Sequence, residues 1–169
     1  MGFGDCLTGR LREAGRAPSL GSDVESSMGG DMFTTMRMAL QAQRALDNAK
    51  VIAGSGGAPE HLTIGCREAL EWATIEGARM AGLDDRIGSL TPGKQADIVL
   101  LRADDLNLCP VVDAVRSIVL HAGTANVDTV IVAGCALKRG GALLRGDLGR
   151  RKAELMSSSR RILAAPVTH

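Results

Sequence analysis

The chain has 169 residues, with 20 Lys+Arg against 19 Asp+Glu and a formal net charge of +1. That balance excludes an electrostatically driven partnership with nucleic acid or a membrane surface, and 45% hydrophobic residues exclude wholesale disorder. The length excludes a complete (β/α)8 barrel, which needs at least about 200 residues. Aromatic residues make up only 2%, as Phe3, Phe33 and Trp72 with no Tyr, so the core must be built from Leu, Ile, Val, Ala and Met. The four cysteines, Cys6, Cys66, Cys109 and Cys135, form no CxxC clip or metal-finger spacing and read as reduced thiols. The first residues lack the basic-then-apolar pattern of a secretory leader, and no apolar run approaches the roughly 18 residues of a membrane span. Gly2 opens no myristoylation motif, because Cys6 stands where Ser or Thr is wanted. A cytoplasmic protein is the expectation.

In chain order, residues 8–14 predict about two helical turns stopped by Gly15. Pro18-Ser19-Leu20-Gly21-Ser22-Asp23 predicts a short buried strand ending in a polar residue. Asp31 is a suitable N-cap for a helix carrying Met32, Phe33, Met36, Ala39, Leu40, Gln43 and Leu46 at three- and four-residue steps. Met at that spacing reads as core filler, not as a cofactor box. Residues 51–60 predict a loop. Their Gly54-Ser55-Gly56-Gly57 run lacks the following Lys-Ser/Thr of a phosphate cradle. Residues 62–83 predict two helical pieces, capped by Thr63 and Thr74 and ended by Gly82, with Ala69, Leu70 and Trp72 on an apolar side.

Near residues 84–94 the periodicity changes. Pro92-Gly93 predicts a type II turn. Ala96–Leu101, Ser117–Leu120 and Thr129–Ala133 predict short strands, and Cys135–Lys138 a hairpin return turned again by Gly140-Gly141, so a small antiparallel sheet is expected. Residues 147–164 predict a basic helix, with Leu148, Leu155 and Ile162 seven apart as a docking stripe, stopped by Pro166. No internal repeat is visible.

Several of these segments carry motifs. Ile87-Gly88-Ser89-Leu90-Thr91-Pro92-Gly93-Lys94-Gln95-Ala96-Asp97-Ile98-Val99 resembles the "GSL-x-PGK-x-ADIV" run of the amidohydrolase superfamily of metal-dependent hydrolases. Residues 127–134 are similar to that family's "V-x-x-V-x-V-x-G" hairpin. Residues 67–83 are similar to its "EAL-x-x-AT-x-x-GA-x-x-LGL" stretch. Ser19-Leu20-Gly21-Ser22-Asp23 resembles the "GSD" or "GTD" end of its eighth barrel strand. Asp31-Met32-Phe33 through Met36-Arg37 is similar to the "DMF-x-x-MR" pattern of its cytosine deaminase and chlorohydrolase branch. The resemblance covers roughly residues 8–145.

It implies an α/β chain holding part of a (β/α)8 metal-dependent hydrolase barrel, its last strand and helices, plus part of a small β-sandwich. The expected division is 1–86 for the barrel portion, 87–146 for the sandwich portion and 147–169 for a terminal helix and tail. The resemblance also implies hydrolysis of a non-peptide C–N bond in a small cyclic or heterocyclic substrate, of deaminase or chlorohydrolase type. Asp23 is implied as the residue that contacts the divalent metal (Zn or Fe) and acts as general base. A metal lowers the pKa of bound water toward about 7, and a carboxylate in reach takes its proton. Taken without the motifs, Asp23 reads as a turn former. Ser22 and Glu25 need only turn roles. No His-x-His pair occurs, and His61, His121 and His169 are scattered. The chain alone is therefore expected to hold no catalytic metal and to be inactive. A complementing N-terminal chain or a homo-oligomer would complete it. The competing expectation is a non-catalytic remnant or oligomerising module.

Overall fold

The computed structural model describes residues 6–24 and 29–164. Phe3, Glu25, Pro166 and His169 lie outside the described residues. Helix α1 (Thr8–Glu13) ends at Gly15, whose φ of 68° is the left-handed stop expected of a glycine. From Arg16 to Val24 the backbone forms no regular element and has no ladder partner among the described residues. The predicted strand at 18–23 is thus irregular chain. A strand is defined by its neighbours, and none flanks this segment.

Helix α2 (Met32–Ser55) starts on Asp31, whose carboxylate accepts the Thr34 N–H at 2.8 Å. It continues nine residues past Leu46, into the segment predicted as loop despite Val51, Ile52 and Gly54, and stops at Gly56 with φ 71°. Helix α3 (Cys66–Trp72) is capped at Gly65, whose N–H is taken by the Glu68 carboxylate at 2.9 Å. Thr63 does not cap it, because its hydroxyl donates to Asp47 instead. Helix α4 (Ile75–Met80) follows Thr74, whose hydroxyl donates back to the Leu70 carbonyl at 2.7 Å and so does not cap either. Gly82, with φ 66°, ends the helical half.

The sheet is antiparallel in the order β1 (Ile98–Leu101), β2 (Val127–Val132), β3 (Cys135–Arg139), β4 (Ala142–Leu143). Ile98 pairs with Ile131 and Val99 with Val130. Ala133 and Gly134, with φ of 48° and 81°, form the two-residue hairpin turn between β2 and β3. Ser117–Leu120, predicted as a strand, is helical. The Asp113 carboxylate caps Arg116 N–H at 3.0 Å, a short helix α5 (Ala114–Arg116) forms, and a wide π-type turn carries it to His121. Coiling brings Val119 fully into the core. A strand there would have left ladder groups unpaired.

The core joins Met36 and Leu40 of α2 with Ile64, Ala69 and Trp72 around α3 and with Val119. Trp72 is its aromatic anchor, and Met36 is core filler as predicted. Helix α6 (Leu148–Leu163) starts after Asp147. The expected docking of its apolar stripe does not occur. Leu155 is 71% exposed and Leu163 83% exposed, and none of its residues is buried. No other element among the described residues reaches far enough to cover it. No helix among the described residues is long and apolar enough to cross a membrane.

Candidate functional site

Two motif regions have opposite local character. The first, residues 84–98, is a clip between α4 and the sheet. Lys94 donates through Nζ to the carbonyls of Asp84 and Ile87, the latter at 3.2 Å. Gly93 has φ 95° and the Lys94 N–H returns to the Thr91 carbonyl at 3.2 Å, as a type II turn requires. Gly88 sits at φ 85°, where a Cβ would lie 2.6 Å from the Ala78 Cβ, so only glycine lets the turn press on α4. The Asp97 carboxylate accepts the Ala133 N–H at 2.6 Å and fastens the β2–β3 hairpin to the start of β1. Ser89 and Thr91 bond each other at 3.0 Å, so the hydroxyls, Lys94 and Asp97 of this motif all have partners within the chain.

Arg37, the last residue of the deaminase-type pattern, is similarly occupied. Its guanidinium donates to the Val119 carbonyl at 3.2 Å and the Ala122 carbonyl at 2.6 Å, tying α2 to the π-type turn.

The second region, residues 16–24, is held from below. Pro18 is buried and Leu20 packs on the core. Above them Asp23 is exposed, and its side chain makes no hydrogen bond or ion pair with any described residue. Its φ is 55°, a left-handed conformation that Asp tolerates better than most residues but that still marks local strain. Strained residues gather at functional sites. The Asp23 carboxylate thus stands exposed on a left-handed residue, without a partner among the described residues.

Sequence reasoning missed the network that sets that footing. Gln43, buried on α2, accepts the Gly9 N–H at 2.7 Å and the Cys6 thiol at 3.2 Å, and donates to Asp47 at 2.7 Å. A Cβ on Gly9 would stand 2.4 Å from Gln43, so α1 seats closely on α2. Burial raises the Asp47 pKa, but the hydrogen bonds from Thr63 and Gln43 outweigh it and hold the carboxyl below its ordinary value. A polar residue on the apolar face, Gln43 at its helical step, was the available signal. The Asp105–Asn126 pair was also missed. Asn126 donates to Asp105 at 2.7 Å and exchanges hydrogen bonds with Asn107, knitting the loop after β1 to the entry of β2. The Arg102 hydrogen bond, then that of Asn126, lowers the Asp105 pKa.

The structure does not bring the other candidate ligands to Asp23. His61 and His121 are exposed, His121 at the end of the π-type turn and not of a strand. No three His, Cys, Asp or Glu side chains converge among the described residues. A catalytic zinc takes three protein ligands and a water. Asp23 therefore does not make a complete metal site with the described residues.

The sequence matches the amidohydrolase family over residues 9–137. It is 39% identical over 139 residues to a 5-methylthioadenosine/S-adenosylhomocysteine deaminase of Desulforudis audaxviator, covering 82% of this chain and 30% of that protein. A second deaminase of that name, from Teredinibacter turnerae, is 37% identical over 79% of this chain and 28% of its own length. Among solved structures, a zinc-bound adenosine deaminase from Xanthomonas campestris superposes with a TM-score of 0.78 at 28% identity, covering 95% of this chain and 34% of that one. The zinc complex of atrazine chlorohydrolase from Arthrobacter aurescens gives 0.71 at 25% identity, over 86% and 30%. The chain thus spans about a third of the length of these relatives and carries part of their fold. With its turn, hairpin and helical motifs each matched over residues 9–137, the chain belongs to the amidohydrolase family.

Proposed function

We propose that this chain contributes the Asp23 carboxylate to a metal-dependent deaminase whose metal ligands lie on the part of the relatives' length that it does not span. In this reading residues 1–86 belong to the barrel, 87–146 to the small sandwich and 147–169 to a terminal helix. The observation that carries it is the contrast between two motif aspartates: the Asp97 carboxylate accepts the Ala133 N–H, whereas the exposed Asp23 side chain, at a left-handed φ of 55°, has no partner among the described residues. A divalent metal, when bound, activates the attacking water. The Asp23 carboxylate takes a proton from that water as its oxygen bonds to the ring carbon. It then passes the proton to the amino nitrogen as the C–N bond breaks and ammonia leaves. The substrate is a small amino-bearing heterocycle. Deamination is preferred over dechlorination because the relatives at 39% and 37% identity are deaminases, whereas the chlorohydrolase stands at 25%.

The test is replacement. Residues 9–137 are grafted in place of the matching segment of the Desulforudis audaxviator deaminase, and ammonia release from 5-methylthioadenosine is followed. The expected result is turnover that falls about 100- to 10,000-fold in Asp23→Asn, the range for losing a general base. A folded chimera without activity, or an Asp23→Asn variant as active as its parent, would favour the non-catalytic module. The 169-residue chain alone, purified and analysed for zinc and iron, is expected to carry neither stoichiometrically. A tightly held metal would overturn the assignment of its ligands elsewhere.

A further inference from the structure

Arg37 closes the deaminase-type pattern but has no part in the reaction just described. Its guanidinium donates through Nε to the Val119 carbonyl at 3.2 Å and through Nη2 to the Ala122 carbonyl at 2.6 Å. Val119 is 0% exposed and Ala122 1%, so water does not reach these carbonyls. Both lie toward the closing end of the π-type turn, where helical carbonyls run out of intrahelical donors. A lysine serves one such carbonyl, whereas the planar fork of arginine serves two. Turns of π type are rare and gather at functional sites. This one carries Val119 into the core with Met36, Leu40 and Trp72. Leu20 packs against that core, three residues before Asp23. Asp23 has no side-chain partner of its own among the described residues, and its φ of 55° is one that an unrestrained Asp readily leaves.

We infer that Arg37 is a positioning residue for Asp23. It locks the π-type turn, the turn seats Val119, and the core so closed holds Leu20 and with it the backbone that presents the carboxylate. The inference rests on the proposed function only for the use of that carboxylate; its placement is a property of this chain. Arg44 supplies a matched contrast. It donates through Nε and Nη2 to the buried Ile64 carbonyl at 3.0 and 2.7 Å, from the same helix toward the same core. It fastens the approach to α3 instead of the π-type turn. It also stands seven residues, about 10 Å, farther from the N-terminal end of α2, the end that the chain enters from Asp23.

The test is backbone nitrogen relaxation on the 169-residue chain and its Arg37→Met and Arg44→Met variants, at a temperature where circular dichroism shows each to be folded. The Asp23 amide is expected to have an order parameter near about 0.85 in the parent and below about 0.6 in Arg37→Met. Val130 and Ile131, within β2, should keep the parent's values in both variants. Asp23 should keep its own value in Arg44→Met, although that variant also strips a buried carbonyl of its donor. Arg37→Lys, which retains one of the two hydrogen bonds, should fall between parent and Arg37→Met, and it carries the test if Arg37→Met does not fold. Three outcomes overturn the inference: an Asp23 already below about 0.6 in the parent, an Asp23 that keeps its value when Arg37 is replaced, or equal loosening in Arg44→Met, which would make the effect one of core stability alone. None of these readouts needs turnover, so failure here and failure of the proposed reaction are distinguishable.

Discussion

The clip at residues 84–98 and the segment at 16–24 both carry family motifs, but they use them differently. In the clip, Lys94, Gly88, Gly93 and Asp97 all answer to neighbours within the chain. In the other segment buried Pro18 and half-buried Leu20 hold the backbone, and Asp23 answers to nothing described. A motif residue with a structural partner is explained by folding. One without a partner, in a strained conformation, is left for chemistry. The two aspartates, Asp97 and Asp23, make the distinction sharp, since both are motif carboxylates and only one is engaged.

The largest expected effect on stability falls on the core on which Leu20 of the second segment packs. Trp72→Ala removes its aromatic anchor and should lower the unfolding free energy by about 3–5 kcal/mol, measured by urea denaturation. A smaller loss would mean that the two halves are not held by that core. Next comes the clip itself. Gly88→Ala forces a Cβ against Ala78 at φ 85° and should cost about 1–3 kcal/mol. A neutral substitution would show the turn free to lift from α4.

Acid sharpens the comparison further. The carboxyls of Asp31, Asp47, Asp105 and Asp147 are all held below their ordinary value of 3.8. For Asp31 the leading cause is the hydrogen bond from Thr34, and for Asp147 that from Arg151. A carboxyl with a depressed folded-state pKa stabilises fully above its unfolded value, and that stability is lost as pH falls through the folded value. Denaturation midpoints should therefore stay level from neutral pH to about 4 and drop below it. A drop beginning near pH 6 would point to groups other than these. The smallest effect is expected on α6. Leu155→Ser should change stability by less than about 0.5 kcal/mol, since Leu155 packs on nothing described. A loss several times larger would mean that the helix docks after all.

How far the sequence could be read followed how local each signal was. Gly15, Gly82 and Pro92-Gly93 act on their own backbone, and all fell where expected. The β2–β3–β4 part of the antiparallel sheet was legible because its strands are adjacent in sequence and joined by short turns. Ser117–Leu120 misled, because its β-branched run coils to deliver Val119 to α2 and α3, a demand set by distant residues. Thr63 and Thr74 misled in the same way: the hydroxyls found Asp47 and Leu70 in preference to the caps. The leucine stripe of α6 promised docking, but a stripe names a face and not what covers it. At the candidate site, Asp23 was visible through its motif alone. Its left-handed backbone and the Gln43 network that seats α1 on α2 depend on side-chain geometry that spacing does not encode.

The central claim is that Asp97 serves the fold and Asp23 serves the reaction, and one paired measurement tests it. Asp23→Asn and Asp97→Asn are made in the 169-residue chain for thermal unfolding and in the deaminase chimera for turnover. The account predicts that Asp97→Asn lowers the melting temperature by several degrees, as losing a charge-assisted hydrogen bond of about 1.5–3 kcal/mol would. It should leave turnover of the folded chimera within a few-fold of its parent. Asp23→Asn should leave the melting temperature unchanged and lower turnover about 100-fold or more. An Asp23→Asn chimera as active as its parent, or one whose loss of activity tracks an equal loss of melting temperature, would contradict it.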